Sequence, residues 1–216
     1  MSDEDINQKL LEAKLRWAKA ARNITGKTDP THAERLPPGQ RQVANWPVLD
    51  LGVQPDVTKD DWKLAVDGLV ENPVSLTFEQ LLKLPQSESV SDIHCVTKWS
   101  RYDNHWVGLA SRDLIALVRP KDEAKHVIFH AYDGYTTNTT IEAFAAEDAM
   151  VAHSWEGYPI TRQHGGPVRI VIPRYYFWKS AKWVKRIEFS RDDKPGFWEV
   201  RGYHNVGDPW LEERYS

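Results

Sequence analysis

The sequence predicts an α+β domain, because short strand-like runs are separated by short helical segments and by irregular connections rich in proline and glycine. Strands and helices do not alternate as a doubly wound parallel sheet requires. The clearest strand signals fall in the last third, where Val168-Arg169-Ile170-Val171-Ile172 runs into Pro173 and Val184-Lys185-Arg186-Ile187-Glu188-Phe189 follows.

In chain order, residues 3 to 22 place Ile6, Leu10, Leu11, Ala13, Leu15 and Trp17 among charges, so an amphipathic helix is expected within residues 1–24. The domain proper is expected over 25–216 and opens with a polar linker, Gly26 to Pro38. Trp62 to Gly68 alternates as a strand, and Asn72 to Leu76 gives a second. Thr77 caps a helix that ends before Pro85. Val90 to Val96 reads as a strand entering a polar, aromatic loop. Ser111 caps a helix from Arg112 to Val118, and His126 to His130 is a strand. Asp133-Gly134-Tyr135 turns into Thr136 to Thr140, a helix is expected from Glu142 to Met150, and Val151 to Trp155 is a strand.

The 216 residues fit one domain with a sizeable core. With 28 basic and 31 acidic residues well mixed and a net charge of -3, no nucleic-acid footprint is indicated. No apolar run is long enough to span a membrane, and the start, Met1-Ser2-Asp3-Glu4-Asp5, is acidic where a secretory signal would be basic; a cytoplasmic location is expected. Ten tryptophans and eight tyrosines exceed what a minimal core needs and suit the walls of a small-molecule site.

Cys95 is the sole cysteine, so it serves packing, nucleophilic chemistry or metal ligation. Lys98, Arg101 and His105 interleave with Trp99, Tyr102 and Trp106 beyond it, a setting that favours a thiolate beside a pocket; Trp106 is read as a core wall. His94 abuts the thiol, but neighbours on a strand point to opposite faces, which makes it a poor base for a cysteine hydrolase. The histidines show no zinc spacing. A metal that takes one thiolate and its other ligands from an organic cofactor fits better, with His164-Gly165-Gly166-Pro167-Val168-Arg169 and Lys179-Ser180-Ala181-Lys182 as anchors for an anionic end.

Four segments together carry a resemblance: His94-Cys95-Val96-Thr97-Lys98-Trp99-Ser100 with Trp106-Val107-Gly108; Asp133-Gly134-Tyr135; His164 to Pro173; and Lys179 to Lys185. In this order, over roughly residues 35 to 190, the chain resembles the molybdenum domain of sulfite oxidase-type oxidoreductases. The resemblance implies a sulfite oxidase-type fold of mixed β-sheets with short helices that binds a molybdenum-molybdopterin cofactor. It implies Cys95 as the metal ligand, His164 as a polar cofactor contact, and Arg169 with Ser180, Ala181 and Lys182 as the grip on the pterin phosphate. The strand end His130-Ala131 is expected beside the cofactor, and Asn45-Trp46 resembles a loop that closes over the pterin in the periplasmic sulfoxide reductase branch. The loop Val-Thr-Lys-Trp-Ser-Arg is also closer to that branch than to the animal and plant sulfite oxidases.

The expected activity is oxygen-atom transfer to or from a small oxyanion or sulfoxide-like substrate, with Cys95, Arg101, His130 and Tyr135 as catalytic candidates. Lys98 and His105 could join Arg101, His130 and Tyr135 in an anion pocket. A separate electron-transfer protein is the expected partner of a monomer. The alternatives are a noncatalytic molybdopterin carrier or binding module and a cysteine hydrolase. The aromatic tail Gly202 to Trp210 is read as packing over the domain.

Overall fold

The computed structural model describes residues 35–216 together with Glu12, so the helix expected over 1–24 and the linker before residue 35 otherwise lie outside the described residues. The described elements run β1 (Arg41–Gln42), β2 (Lys63–Gly68), β3 (Val74–Thr77), α1 (Phe78–Lys83), β4 (Ser87–Cys95), β5 (Trp99–Ala110), α2 (Ser111–Val118), β6 (His126–Ala131), β7 (Thr136–Thr140), α3 (Ile141–Phe144), β8 (Met150–Trp155), β9 (Tyr158–Pro159), β10 (Arg169–Val171) and β11 (Val184–Ser190). Tight 3₁₀ turns occupy Arg162–His164, Phe177–Lys179 and Glu199–Arg201.

Two mixed sheets share one core. In the first the order is β1-β5-β8-β10, with β4 also on β5 and β9 on β8; in the second it is β3-β2-β11-β6-β7. Most pairs are antiparallel, whereas β1 with β5 and β2 with β11 are parallel. Leu64 and Val66 of β2, Phe129 of β6 and Ile187 of β11 meet Leu109, Val151 and Ile170 of the first sheet in this core. Trp62, fully buried beside them, donates from Nε1 to the Val184 carbonyl at 2.9 Å, so its one polar atom is satisfied. Burial of this apolar surface is the main force joining the sheets.

The caps explain the helix limits. Thr77 Oγ1 accepts the Gln80 N–H at 3.2 Å while Gln80 Oε1 accepts the Thr77 N–H at 2.8 Å, a reciprocal cap that starts α1; Pro85 follows its end. Ser111 is the first helical residue of α2 and not its cap, and Arg119 ends the helix in a left-handed conformation before Pro120. The helix expected from Glu142 to Met150 is only Ile141–Phe144, because Met150 is drawn into β8 between Ala110 and Val171.

The aromatic segment after Cys95 is not a loop. It is the 12-residue strand β5, the centre of the first sheet. Tyr102, Asn104 and Trp106 are buried while Asp103 and His105 are exposed, the period of two that a strand requires. Asn104 conceals that pattern, since it is polar yet fully buried, donating from Nδ2 to the Ser91 and Arg101 carbonyls and accepting the Trp155 indole N–H.

A second polar knot lies inside. Lys179 Nζ stands 2.6 Å from Glu199 Oε1 with both side chains almost wholly buried, and Thr137 Oγ1 and Trp178 Nε1 donate to the same carboxylate oxygen. Burial lowers the Lys179 pKa and Glu199 works against that shift. The knot ties the Phe177–Lys179 turn to the tail.

Where β5 crosses β8, only glycine fits: a Cβ on Gly108 would sit 2.2 Å from the Val151 carbonyl oxygen and 2.7 Å from Ala152 Cα. Gly108→Ala is therefore expected to destabilise the fold by about 3 kcal/mol or more through backbone displacement. Gly157→Ala, which meets open space but sits at φ +78°, should cost only about 1–2 kcal/mol. Urea unfolding of both variants checks the ranking.

Candidate functional site

The β4–β5 hairpin presents the thiol. Its short turn is closed by the Lys98 N–H donating to the Cys95 carbonyl at 3.0 Å, with Lys98 at φ 66°, and Cys95 pairs with Trp99 across it. Cys95 is 7% exposed, forms no disulfide, and its Sγ lies 3.1 Å from Thr97 Oγ1. A hydroxyl at that distance stabilises a thiolate and fixes where its lone pairs point. His94, as its strand position predicts, turns away and places Nδ1 2.8 Å from Ser100 Oγ; burial pushes its pKa down to about 4, so it stays neutral.

Cys95 opens on a cavity of about 140 Å³ whose other walls come from far along the chain. Trp46 and Leu49 precede the second sheet, Asp133 and Tyr135 form the β6–β7 turn, Arg169 starts β10, and Phe177, Trp178, Ser180, Lys182, Trp198 and Tyr203 complete the wall. Cys95 ends β4 and Arg169 starts β10, on strands separated by β5 and β8. The cavity therefore needs an extended ligand to touch both.

At the far end Arg169 is 1% exposed. Its Nη1 donates to the His164 carbonyl at 2.6 Å, Nη2 to the Ser180 carbonyl at 2.9 Å and Nε to the Ile170 carbonyl at 3.3 Å, while its plane lies over the rings of Phe177 and Trp46. Burial lowers its pKa to about 9, which leaves it cationic at neutral pH. Every hydrogen-bond partner is a neutral carbonyl. Among the described residues no acid pairs with this buried guanidinium, a setting that suits an anionic ligand. Lys182 adds a second cation, with Nζ donating to the Leu49 and Gln163 carbonyls at 2.7 Å each. Ser180 Oγ accepts the Ile172 N–H at 2.9 Å at the edge of the cavity. Gly165 lets this arrangement close, because a Cβ there would lie 2.8 Å from Lys182 Cβ.

His164 lies behind the wall. Its ring stacks on Trp46 with centroids 4.0 Å apart, Nε2–H donates to the Trp46 carbonyl at 3.2 Å and Nδ1 stands 3.0 Å from Thr161 Oγ1. Burial is the main cause of its pKa falling to about 4; the bond to Trp46 opposes this, and Arg169 and Lys182 add to it. It is a neutral donor that fixes the Trp46 loop.

The expected residues thus divide. Cys95, Trp46, Tyr135, Arg169, Ser180 and Lys182 line the cavity. Ala181 is buried in the core, and Ala131 is buried at the end of β6, next to the turn that contributes Asp133 and Tyr135. Asn45 is exposed and outside the lining. Arg101 lies outside the lining: Glu156, presented by the β8–β9 turn, holds its Nη1 at 3.0 Å, and the guanidinium lies over Trp155. His130 points out of the second sheet, since Phe129 and Ala131 take the inward positions on either side of it, and its Nε2 is 3.1 Å from Glu188 Oε2. Lys98 and His105 also lie outside the lining. The Tyr135 hydroxyl donates to the Trp178 carbonyl at 2.6 Å and is engaged in holding that turn.

Sequence reasoning passed over Asp133, Thr97, Trp178, Trp198 and Tyr203 as wall residues. Asp133 is buried, which raises its pKa, and accepts the Tyr135 N–H. The excess of tryptophan was the signal for an aromatic wall, but it could not say which rings. Among the described residues no group of three or more histidine, cysteine, aspartate or glutamate side chains could hold a metal. A metal at Cys95 must take its remaining ligands from a cofactor, and the cation-floored cavity fits a molybdopterin carrying a phosphate.

The oxidoreductase molybdopterin binding domain family matches residues 51–198. The chain is 46% identical over 185 residues to the uncharacterized oxidoreductase YuiH of Bacillus subtilis (strain 168), covering 84% of this chain and 92% of that one. It is 32% identical over 162 residues to the protein-methionine-sulfoxide reductase catalytic subunit MsrP of Campylobacter jejuni, covering 64% of this chain and 52% of that one, so it spans about half the length of that relative. The sulfane dehydrogenase SoxCD from Paracoccus pantotrophus superposes with a TM-score of 0.60 at 20% identity, over 79% of this chain and 57% of that one, a likeness of fold. A family match over most of the length, on a fold that sets a lone cysteine opposite a buried arginine, makes the chain a member of the sulfite oxidase-type family of molybdopterin-dependent oxidoreductases.

Proposed function

We propose that the chain transfers an oxygen atom to or from a small substrate at a molybdenum bound by Cys95, and that this substrate is sulfoxide-like and uncharged at its reacting end. The observation that carries the reading is the wall around Cys95: aromatic rings line it, and the one guanidinium expected there, Arg101, is paired with Glu156. The two cations that do line the cavity, Arg169 and Lys182, are read here as the seat of the cofactor's phosphate, with Ser180. Similarity to a protein-methionine-sulfoxide reductase catalytic subunit supports the same substrate class.

The bound cofactor supplies the two-electron chemistry. The protein's own groups bind and orient. Cys95 gives the thiolate and Thr97 restrains it. Tyr135 holds the Phe177–Lys179 turn through the Trp178 carbonyl, and Trp178, Trp198 and Tyr203 exclude water from the reacting face. A cysteine hydrolase is disfavoured by the engagement of His94 with Ser100; a noncatalytic carrier would bind the metal without turnover. The same reading takes the chain as a monomer that exchanges electrons with a separate electron-transfer protein. Among the described residues no helix is long and apolar enough to cross a membrane. A cytoplasmic location belongs to the same proposal.

Cys95→Ser should lower turnover by about a hundredfold or more while shifting unfolding stability by no more than about 1 kcal/mol, because oxygen is a harder donor of nearly the same size. Full turnover of the serine variant with molybdenum bound would remove the thiolate from the reading. Comparing sulfoxide and oxyanion reduction by the parent chain tests the substrate class.

Arg169→Lys should lower molybdenum per chain by about tenfold, with turnover per bound molybdenum much less affected, since one charge-assisted fork contact is worth about 1.5–3 kcal/mol. Metal analysis beside a per-metal rate separates the two. Arg101→Met should leave KM for both substrate classes within about twofold, as expected of a partly exposed ion pair away from the cavity; a selective rise for oxyanions would return Arg101 to the site.

A further inference from the structure

We propose that Arg214 is a positioning residue for the metal ligand: the C-terminal tail reaches back and, through this side chain, sets the hairpin turn that carries Cys95. The inference rests on the reading of Cys95 as the thiolate ligand. Arg214 is 6% exposed, and its Nη1 donates to the Val96 carbonyl at 2.8 Å across 118 residues of sequence. Its Nη2 donates to the Pro38 carbonyl at 3.3 Å, and the guanidinium lies over the Tyr176 ring at 4.8 Å. Beside it, Gln40 Nε2 donates to the Cys95 carbonyl at 3.1 Å. Two consecutive carbonyls, of the ligand residue and the next, are thus held by side chains from opposite ends of the described chain.

The tail is itself anchored around the cavity. Tyr203 lines the cavity and forms an antiparallel bridge with Tyr215, and the two rings meet edge to face at 5.3 Å. The Arg214 carbonyl accepts the His204 N–H, and the Ser216 N–H donates to Gly202. Residues 199–216 lie beyond the 51–198 segment matched by the family.

The clamp acts through the backbone. Cys95 can direct Sγ at a metal only if its own peptide and the next keep their orientation, and each buried carbonyl held by a fixed donor removes one way for the turn to rotate. Arg214 supplies a charged, planar fork that lysine reproduces only in part.

The test uses the full chain isolated with its cofactor. Cys95 is the one thiol of the polypeptide, so its carbamidomethylation by iodoacetamide, read by peptide mass so that alkylation of the cofactor's own dithiolene sulfurs is not counted, reports how often the sulfur is released from the metal; molybdenum is counted before and after, and the Mo(V) paramagnetic resonance line shape is recorded. Arg214→Met should raise the alkylation rate by about tenfold and broaden the Mo(V) signal, as expected when a charge-assisted contact is lost. Arg214→Lys should fall between that variant and the parent. Arg201→Met, which removes a tail guanidinium bonded to the Phe197 carbonyl and not to the hairpin, should match the parent. Parent-like rates and line shapes in both Arg214 variants would overturn the proposal, as would an Arg201→Met effect equal to that of Arg214→Met. If Arg214→Met does not fold, Arg214→Lys decides, and parent-like behaviour there assigns Arg214 to tail packing alone. A parent chain that holds molybdenum yet is alkylated at Cys95 as fast as the metal-free chain would defeat the ligand reading of Cys95, whereas a parent protected by the metal with both Arg214 variants equally protected would defeat the clamp alone.

Discussion

The burial of Arg169 governs the architecture around the cavity. A guanidinium removed from water must satisfy its donors at fixed angles, and here the His164, Ser180 and Ile170 carbonyls do so. Those carbonyls belong to the 3₁₀ turn before β10, to the turn after it, and to β10 itself. One side chain thereby sets three backbone segments at once, and Gly165, Ser180 and Lys182 take their places as a result. The same constraint leaves a positive charge facing the cavity with no acid partner among the described residues. Structural order and ligand recognition come from one group.

Much of the fold was legible because its signals are local. Thr77 with Gln80 marks the start of α1 by side-chain chemistry alone, and the apolar run at 168–172 and the alternation at 184–189 mark β10 and β11. The failures came where tertiary pairing overrode local cues. β5 was hidden because Asn104 occupies an inward position with a polar side chain, which only the Ser91, Arg101 and Trp155 partners make tolerable. The expected helix over 142–150 lost its second half to β8, whose partners Ala110 and Val171 lie far away in sequence.

The site divides in the same manner. Cys95, Arg169, Ser180 and Lys182, which line the cavity, each sit in a short motif with a chemical reason for the residue type. Arg101 and His130 stand outside the lining because residue type says nothing of which carboxylate a cation will meet; Glu156 and Glu188 decide that. Trp198 and Tyr203 had no motif. Their membership depends on the tail's path, fixed by the buried Lys179–Glu199 pair and the Tyr203–Tyr215 bridge. A buried pair of this kind is a poor source of net stability but a strict register, since any other path leaves a charge alone.

The parallel pairing of β2 with β11 has a consequence for the order of synthesis. The strand at 63–68 has no neighbour on that side until residues 184–190 leave the ribosome, so the second sheet is incomplete for most of translation. The Cys95 hairpin pairs within its own short stretch and can form early. Between these events the thiol is presented while the far wall of its cavity is still missing, and the last wall residue to emerge is Tyr203. Closure of the cavity wall is therefore the last step that the order of the chain allows, and it waits on the tail.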